Sequence, residues 1–244
     1  MAPGAHGPSA AGYAPIAERF QETRDLRGFV ERNLERASDP AIAFYVSQAL
    51  EECSVARPFA ADDERPSPWN RKAAAESLAS ACRGFEGRVI EPELILSLLH
   101  RAAESGEPHA VARMLLFRDI AAPKQEVLER LPALLATGDP TVIRDVGAFL
   151  SRGESVWRYG TEEVPAGTAA IAWELAACDL GDACGPASRL ALSQCALLGE
   201  CDPGRYEDAL ASHEDPQAMA QALRLRHGIV RALRNRDWEW LGLG

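Results

Sequence analysis

Several things are scarce in this chain, and each shortage excludes a class of protein. No run of about 18 apolar residues occurs, so no segment reads as a membrane-spanning helix. Basic residues are outnumbered, 26 against 36 acidic, for a formal net charge of −10. A general nucleic-acid binder needs a basic surface to displace counterions, so that partner is not expected. Histidine is absent between 110 and 212. No serine stands in a G-x-S-x-G elbow, and no glycine loop has phosphate-cradling spacing. Glu162 and Glu163 are adjacent acids of the kind usually solvated. No catalytic residue, cofactor or metal ligand is therefore assigned.

What remains has the balance of a globular protein. It is 47% hydrophobic and 25% charged, too apolar for a disordered chain. A length of 244 residues can bury a sizeable core, as one elongated domain or two small ones. Lysine is limited to Lys72 and Lys124, so the positive charge is almost all arginine, and alanine is abundant. That usage is typical of high-GC bacterial genomes, and it leans the chain towards helix. Residues 1–15 are rich in Gly, Ala and Pro and read as a flexible tail, without the basic start and apolar core of a signal peptide. A mature secreted protein with an added start methionine and a cytosolic protein both fit such a tail.

Helical periodicity dominates the rest. Leu94, Ile95, Leu98, Leu99, Ala102 and Ala103 form one apolar stripe, and Ile42, Val46, Leu50 and Cys53 form another. An acid-Pro pair recurs at Asp39-Pro40, Glu91-Pro92, Glu107-Pro108, Asp139-Pro140, Asp202-Pro203 and Asp215-Pro216. Proline at the first helical position loses no hydrogen bond, and the acid before it can cap the free amides. Two of these marks lie in similar segments 32 residues apart, Ala103–Val111 and Leu135–Ile143, with Gly106 and Gly138 as helix ends. Ser38-Asp-Pro-Ala-Ile is a weaker third copy. A period in the low thirties points to stacked helical hairpins; a common inter-helix turn would give the same motif. No strand pattern stands out. The expected fold is all-α, a short solenoid-like stack of about ten to twelve helices forming one domain over 16–244. The irregular stretches 55–68 and 153–165 interrupt it without dividing it.

The segment Arg101-Ala-Ala-Glu-Ser-Gly-Glu-Pro-His-Ala-Val-Ala-Arg-Met-Leu resembles the Sel1-like branch of the tetratricopeptide family. There a paired alanine ends one helix, a glycine turns the chain, and a small residue opens the next. The matching positions are Ala102, Ala103, Gly106 and Ala110. The resemblance covers residues 101–115 and implies stacked hairpins and a protein-binding habit. The cysteine-rich C-terminal third also looks like a group of uncharacterised proteins from high-GC bacteria.

The six cysteines fall into pairs. Cys53 and Cys82 lie on apolar faces of consecutive helices, Cys82 continuing Ala74 and Leu78. The others form the figure Cys178-x5-Cys184-x10-Cys195-x5-Cys201. Zinc would want closer ligand pairs and histidine partners. Reduced core cysteines of a cytosolic protein remain one reading. Three disulfides in an oxidising compartment are the preferred one, because the count is even and two equal spacings recur at equivalent helix ends. The expected pairs are Cys53–Cys82, Cys178–Cys184 and Cys195–Cys201. The crossed pairing of the last four is disfavoured. In a hairpin turning near 184, Cys195 lies more than a helical turn beyond the position opposite Cys178.

Two features are candidate binding surfaces. Trp157, Arg158 and Tyr159 make an aromatic loop of types favoured as interface anchors, or Trp157 plugs a gap between hairpins. Arg224, Arg231 and Arg234 share one face of the last helix, a stripe suited to an acidic partner or anionic lipid. The alternative is that they favour the helix C-terminus and pair with an acidic body. Trp238 and Trp240 read as a plug over the final groove. Among the histidines, His100 is expected to be structural, His109 lies in a repeat turn, and His6 is in the tail. The expected function is a non-catalytic protein-binding module of the bacterial cell envelope, periplasmic or secreted, with an unidentified protein partner. Alternatives are a cytosolic regulator or immunity-type binding protein, and an enzyme on a helical scaffold.

Overall fold

The computed structural model describes residues 14–59, 70–117, 124–152, 156–185, 188–199, 201 and 206–244. Residues 1–13 of the expected tail, His6 among them, most of the irregular stretch 55–68 and the Asp202-Pro203 mark lie outside them, while Ala14 and Pro15, also read as tail, open the first helix. The protein is mostly helical: α1 (Ala14–Glu22), α2 (Leu26–Asn33), α3 (Pro40–Phe59), α4 (Asn70–Cys82), α5 (Pro92–Glu104), α6 (Pro108–Phe117), α7 (Lys124–Leu128), α8 (Leu131–Leu135), α9 (Pro140–Leu150), α10 (Ala166–Asp179), α11 (Arg189–Leu198), α12 (Tyr206–His213) and α13 (Pro216–Asn235). Short 3-10 turns follow α2 and α4. One small antiparallel hairpin, β1 (Trp157–Tyr159) and β2 (Glu162–Val164), occupies the stretch read as an irregular loop.

Five of the acid-Pro marks open helices, at Pro40, Pro92, Pro108, Pro140 and Pro216. The aspartates cap alike. Asp39, Asp139 and Asp215 each accept from the amides two and three residues on, at 2.9–3.2 Å. Glu91 makes no side-chain cap bond; its longer arm does not place the carboxylate over the first turn unaided. Gly106 and Gly138 both take left-handed backbone, with φ of +79° and +70°, where a Cβ is strained.

The chain divides into two compact units where the sequence reads as one domain. The first is Met1–Val111 with Ala187–Cys201; the second is Ala112–Pro186 with Asp202–Gly244. Each is built round a helix that is apolar on nearly all sides. In the first unit this is α3, against which α5, α2, α4 and α1 pack. Beyond the expected stripe, Ala43, Phe44, Ser47 and Ala49 are also buried. On α5 the stripe is narrower than expected. Ile95, Leu98, Leu99 and Ala102 are buried, whereas Leu94 is 38% exposed. α11 completes the first unit by packing on α4, with Ala74, Leu78, Cys195 and Ala196 in contact. Arg71 Nε donates to the Ala196 carbonyl at 2.9 Å, closing the end of α11. In the second unit the central helix is α10, flanked by α9 and α13, with Trp173 fully buried. Several of the most extensive pairings thus join helices that are not consecutive in the chain.

All three expected disulfides are present, Cys53–Cys82, Cys178–Cys184 and Cys195–Cys201, and no cysteine is free. The two short bridges share a mechanism. α10 runs out at Cys178 and Asp179, the chain turns at Gly181, and Cys184 comes back to a Cα–Cα distance of 5.6 Å. α11 ends on Gly199, whose amide bonds the Cys195 carbonyl, and Cys201 returns to 4.5 Å.

Candidate functional site

The candidate surface lies in the second unit, on α13 and the hairpin. α13 starts with the Asp215 cap and Pro216 and ends at Arg236, which takes left-handed backbone. Its apolar residues Met219, Ala222, Leu225, Ile229 and Ala232 face inwards. The opposite face carries Arg224, Arg231 and Arg234, all exposed, with His227 between them. At about 100° per residue the three arginines lie within one narrow stripe. Arg231 also stands over the Trp240 ring, 5.8 Å from its centroid. Among the described residues none of the three is in an ion pair, although Arg234 lies in the last turn of α13 and its charge acts on Asp179.

Arg226 is different. It is held between Asp179, which it meets with two guanidinium nitrogens, and Glu207 at 2.6 Å. Its hydrogen bond holds the Asp179 carboxyl below its ordinary value, with the Arg226, His227 and Arg234 charges adding to the effect and burial opposing it. The carboxylates in turn raise the Arg226 pKa. Tyr206, on α12, donates its hydroxyl to Glu174 of α10 at 2.8 Å. α10, α12 and α13 are thereby tied together.

The aromatic segment is not a free loop. Trp157, Arg158 and Tyr159 alternate in burial along β1. Tyr159 is 1% exposed, and its hydroxyl accepts from Trp173 Nε1 at 2.7 Å. Its expected place on a binding surface is therefore corrected: the ring is core, and burial pushes the phenol pKa up. Trp157 is half-buried, and its Nε1 donates to the Leu241 carbonyl at 3.1 Å. Gly160 N–H donates to the Trp240 carbonyl at 2.8 Å. The hairpin and the C-terminal turn thus lock together, with the Trp240 ring 5.9 Å from that of Tyr159. Arg158 alone of the three is well exposed, paired across the hairpin with Glu163 at 2.6 Å. The signal for this hairpin was in the sequence: outward Arg158 between inward neighbours, then Gly160-Thr161, then Glu-Glu-Val.

A buried pair went unnoticed in the sequence. Glu107 and His109 are 1% and 4% exposed, and their side chains meet at 2.6 Å. Glu107 also accepts from the Ala110 amide at 2.6 Å, and His109 stacks on Phe44 at 5.1 Å. The pair organises the first turn of α6 inside the first unit. Its only sequence trace was that Glu107 stands where the other copies have aspartate. Among the described residues no group of three or more histidine, cysteine or acidic side chains is placed to hold a metal. No described helix is long and apolar enough to cross a membrane.

No family model, curated protein or solved structure matches this chain.

Proposed function

We propose that this protein is a non-catalytic binding module of the bacterial cell envelope, periplasmic or secreted, whose protein partner meets the arginine stripe of α13. The observation that carries the reading is the division of arginines on that helix. Arg226 is committed to two carboxylates, while Arg224, Arg231 and Arg234 stand exposed outside any ion pair among the described residues. In a chain of net charge −10, such a stripe suits an acidic partner surface. Arginine is also among the residue types that contribute most at interfaces. Arg158, exposed on the hairpin of the same unit, is a further candidate contact, its guanidinium paired with Glu163. Three disulfides with no free cysteine support the oxidising compartment. The arginine and alanine usage and the Sel1-like resemblance at 101–115 support a bacterial, protein-binding role.

The test compares capture of envelope proteins by the wild-type chain and by Arg224→Glu/Arg231→Glu/Arg234→Glu. A partner retained at low salt by the wild type, released at high salt and lost by the variant is expected. Equal retention by both proteins would refute the assignment of the stripe.

A further inference from the structure

The first unit carries a second basic feature, independent of α13. Arg19 and Glu22 of α1, Phe29, Arg32 and Asn33 of α2, and Arg36 of the following 3-10 turn line a depression of about 520 Å³. Small-molecule sites span roughly 300–1,000 Å³. Three guanidiniums against one carboxylate give a local charge of 3 − 1 = +2 in a chain of net charge −10. The floor is fixed. Phe29 is 2% exposed and meets Phe20 edge-on at 5.7 Å. Asn33 is 4% exposed, and its Nδ2 donates to the Phe29 carbonyl at 2.7 Å, holding a polar group at the base.

Arg27, on the same helix, pairs with Glu31 at 2.6 Å. Arg32 and Arg36 are exposed, and among the described residues neither is in an ion pair. They stand four residues apart on continuous helical chain, where like charges repel. The C-termini of α1, of α2 and of the 3-10 turn that continues α2 each favour a nearby cation, which accounts for Arg19, Arg32 and Arg36 one by one but leaves three guanidiniums round one depression. An anion relieves that repulsion. Guanidinium forks match the oxygens of a phosphate in paired, charge-assisted hydrogen bonds.

We propose that this depression binds a phosphate monoester group, with Arg32 and Arg36 as its principal ligands and Arg19 at the rim. Glu22 on the same rim disfavours a second anionic group, so a monoester suits the site better than a polyphosphate. The group can come from a soluble metabolite or from a phosphatidic acid headgroup. Two measurements on the full, oxidised chain separate these sources: calorimetric titration with glycerol 3-phosphate, and co-sedimentation with phosphatidylcholine vesicles containing phosphatidic acid. Saturable binding in at least one is expected, weakened about tenfold or more by Arg32→Ala/Arg36→Ala. Because both side chains are exposed, that variant should keep the wild-type circular dichroism spectrum and Tm; if it does not, Arg36→Gln serves in its place. The Arg224→Glu/Arg231→Glu/Arg234→Glu protein should bind as the wild type does, which keeps this site distinct from the stripe. Absence of saturable binding in both measurements, or undiminished binding by the arginine variant, would overturn the proposal. Equal weakening by the α13 variant would overturn it too, by reducing the effect to bulk charge.

Discussion

The bridge between α3 and α4 and the bridges that follow α10 and α11 use one bond for two purposes. Cys53–Cys82 spans a sequence separation of 29 and joins two helices of the first unit, with both residues in the core. Cys178–Cys184 and Cys195–Cys201 each span six residues and tie a helix end to its own turn. In the chain-entropy account the long bridge stabilises by about 3–4 kcal/mol and each short one by about 2. The long bridge restrains the packing of elements. The short ones restrain a reversal that a left-handed glycine already makes. The first should act on a whole unit, the others locally.

The largest expected effect therefore comes from Cys53→Ala/Cys82→Ala. Urea denaturation of the oxidised protein should show a loss of about 3–4 kcal/mol. Cys178→Ala/Cys184→Ala should lose about 2 kcal/mol, with hydrogen exchange loosened chiefly around 178–184. Equal losses would break the comparison, because loop length would then not set the contribution.

Next in size is Arg226→Ala. It leaves Asp179 and Glu207 without their shared partner, and these groups are only part-buried. The expected cost is about 1–2 kcal/mol. The same contact has a pH signature. Asp179 titrates lower in the folded chain than its ordinary value of 3.8. Its contribution is then fully present above about pH 4 and is lost as pH falls through the folded value. Acid titration of stability should show this loss in the wild type and a shallower one in Arg226→Ala. The smallest effect belongs to Arg224→Glu, Arg231→Glu and Arg234→Glu, each within about 0.5 kcal/mol in stability. A larger loss would mean the stripe is structural like Arg226.

Most of the helical frame was legible because its signals are local. Acid-Pro pairs fix starts, left-handed glycines fix ends, and the equal cysteine spacings mark equal turns. The pairing of Cys53 with Cys82 followed from two apolar faces that each place a sulfur inwards. What was not legible depends on contacts distant in sequence. Tyr159 is core because Trp173, 14 residues on, meets its hydroxyl. The division into two units follows from α11 packing on α4, and nothing local in Arg189–Leu198 names that partner. The stripe on α13 was legible as periodicity. That Arg226 alone would be clamped was not, because Asp179 and Glu207 come from two other helices. The depression at Arg19, Arg32 and Arg36 was legible only in part: Arg32 and Arg36 stand four residues apart on one helical run, but Arg19 comes from another helix.

The measurement that bears most directly on the account is non-reducing peptide mapping of the protein taken from its native compartment. Three bridges, Cys53–Cys82, Cys178–Cys184 and Cys195–Cys201, are the predicted result. Six thiols open to alkylation would contradict both the staples and the envelope assignment.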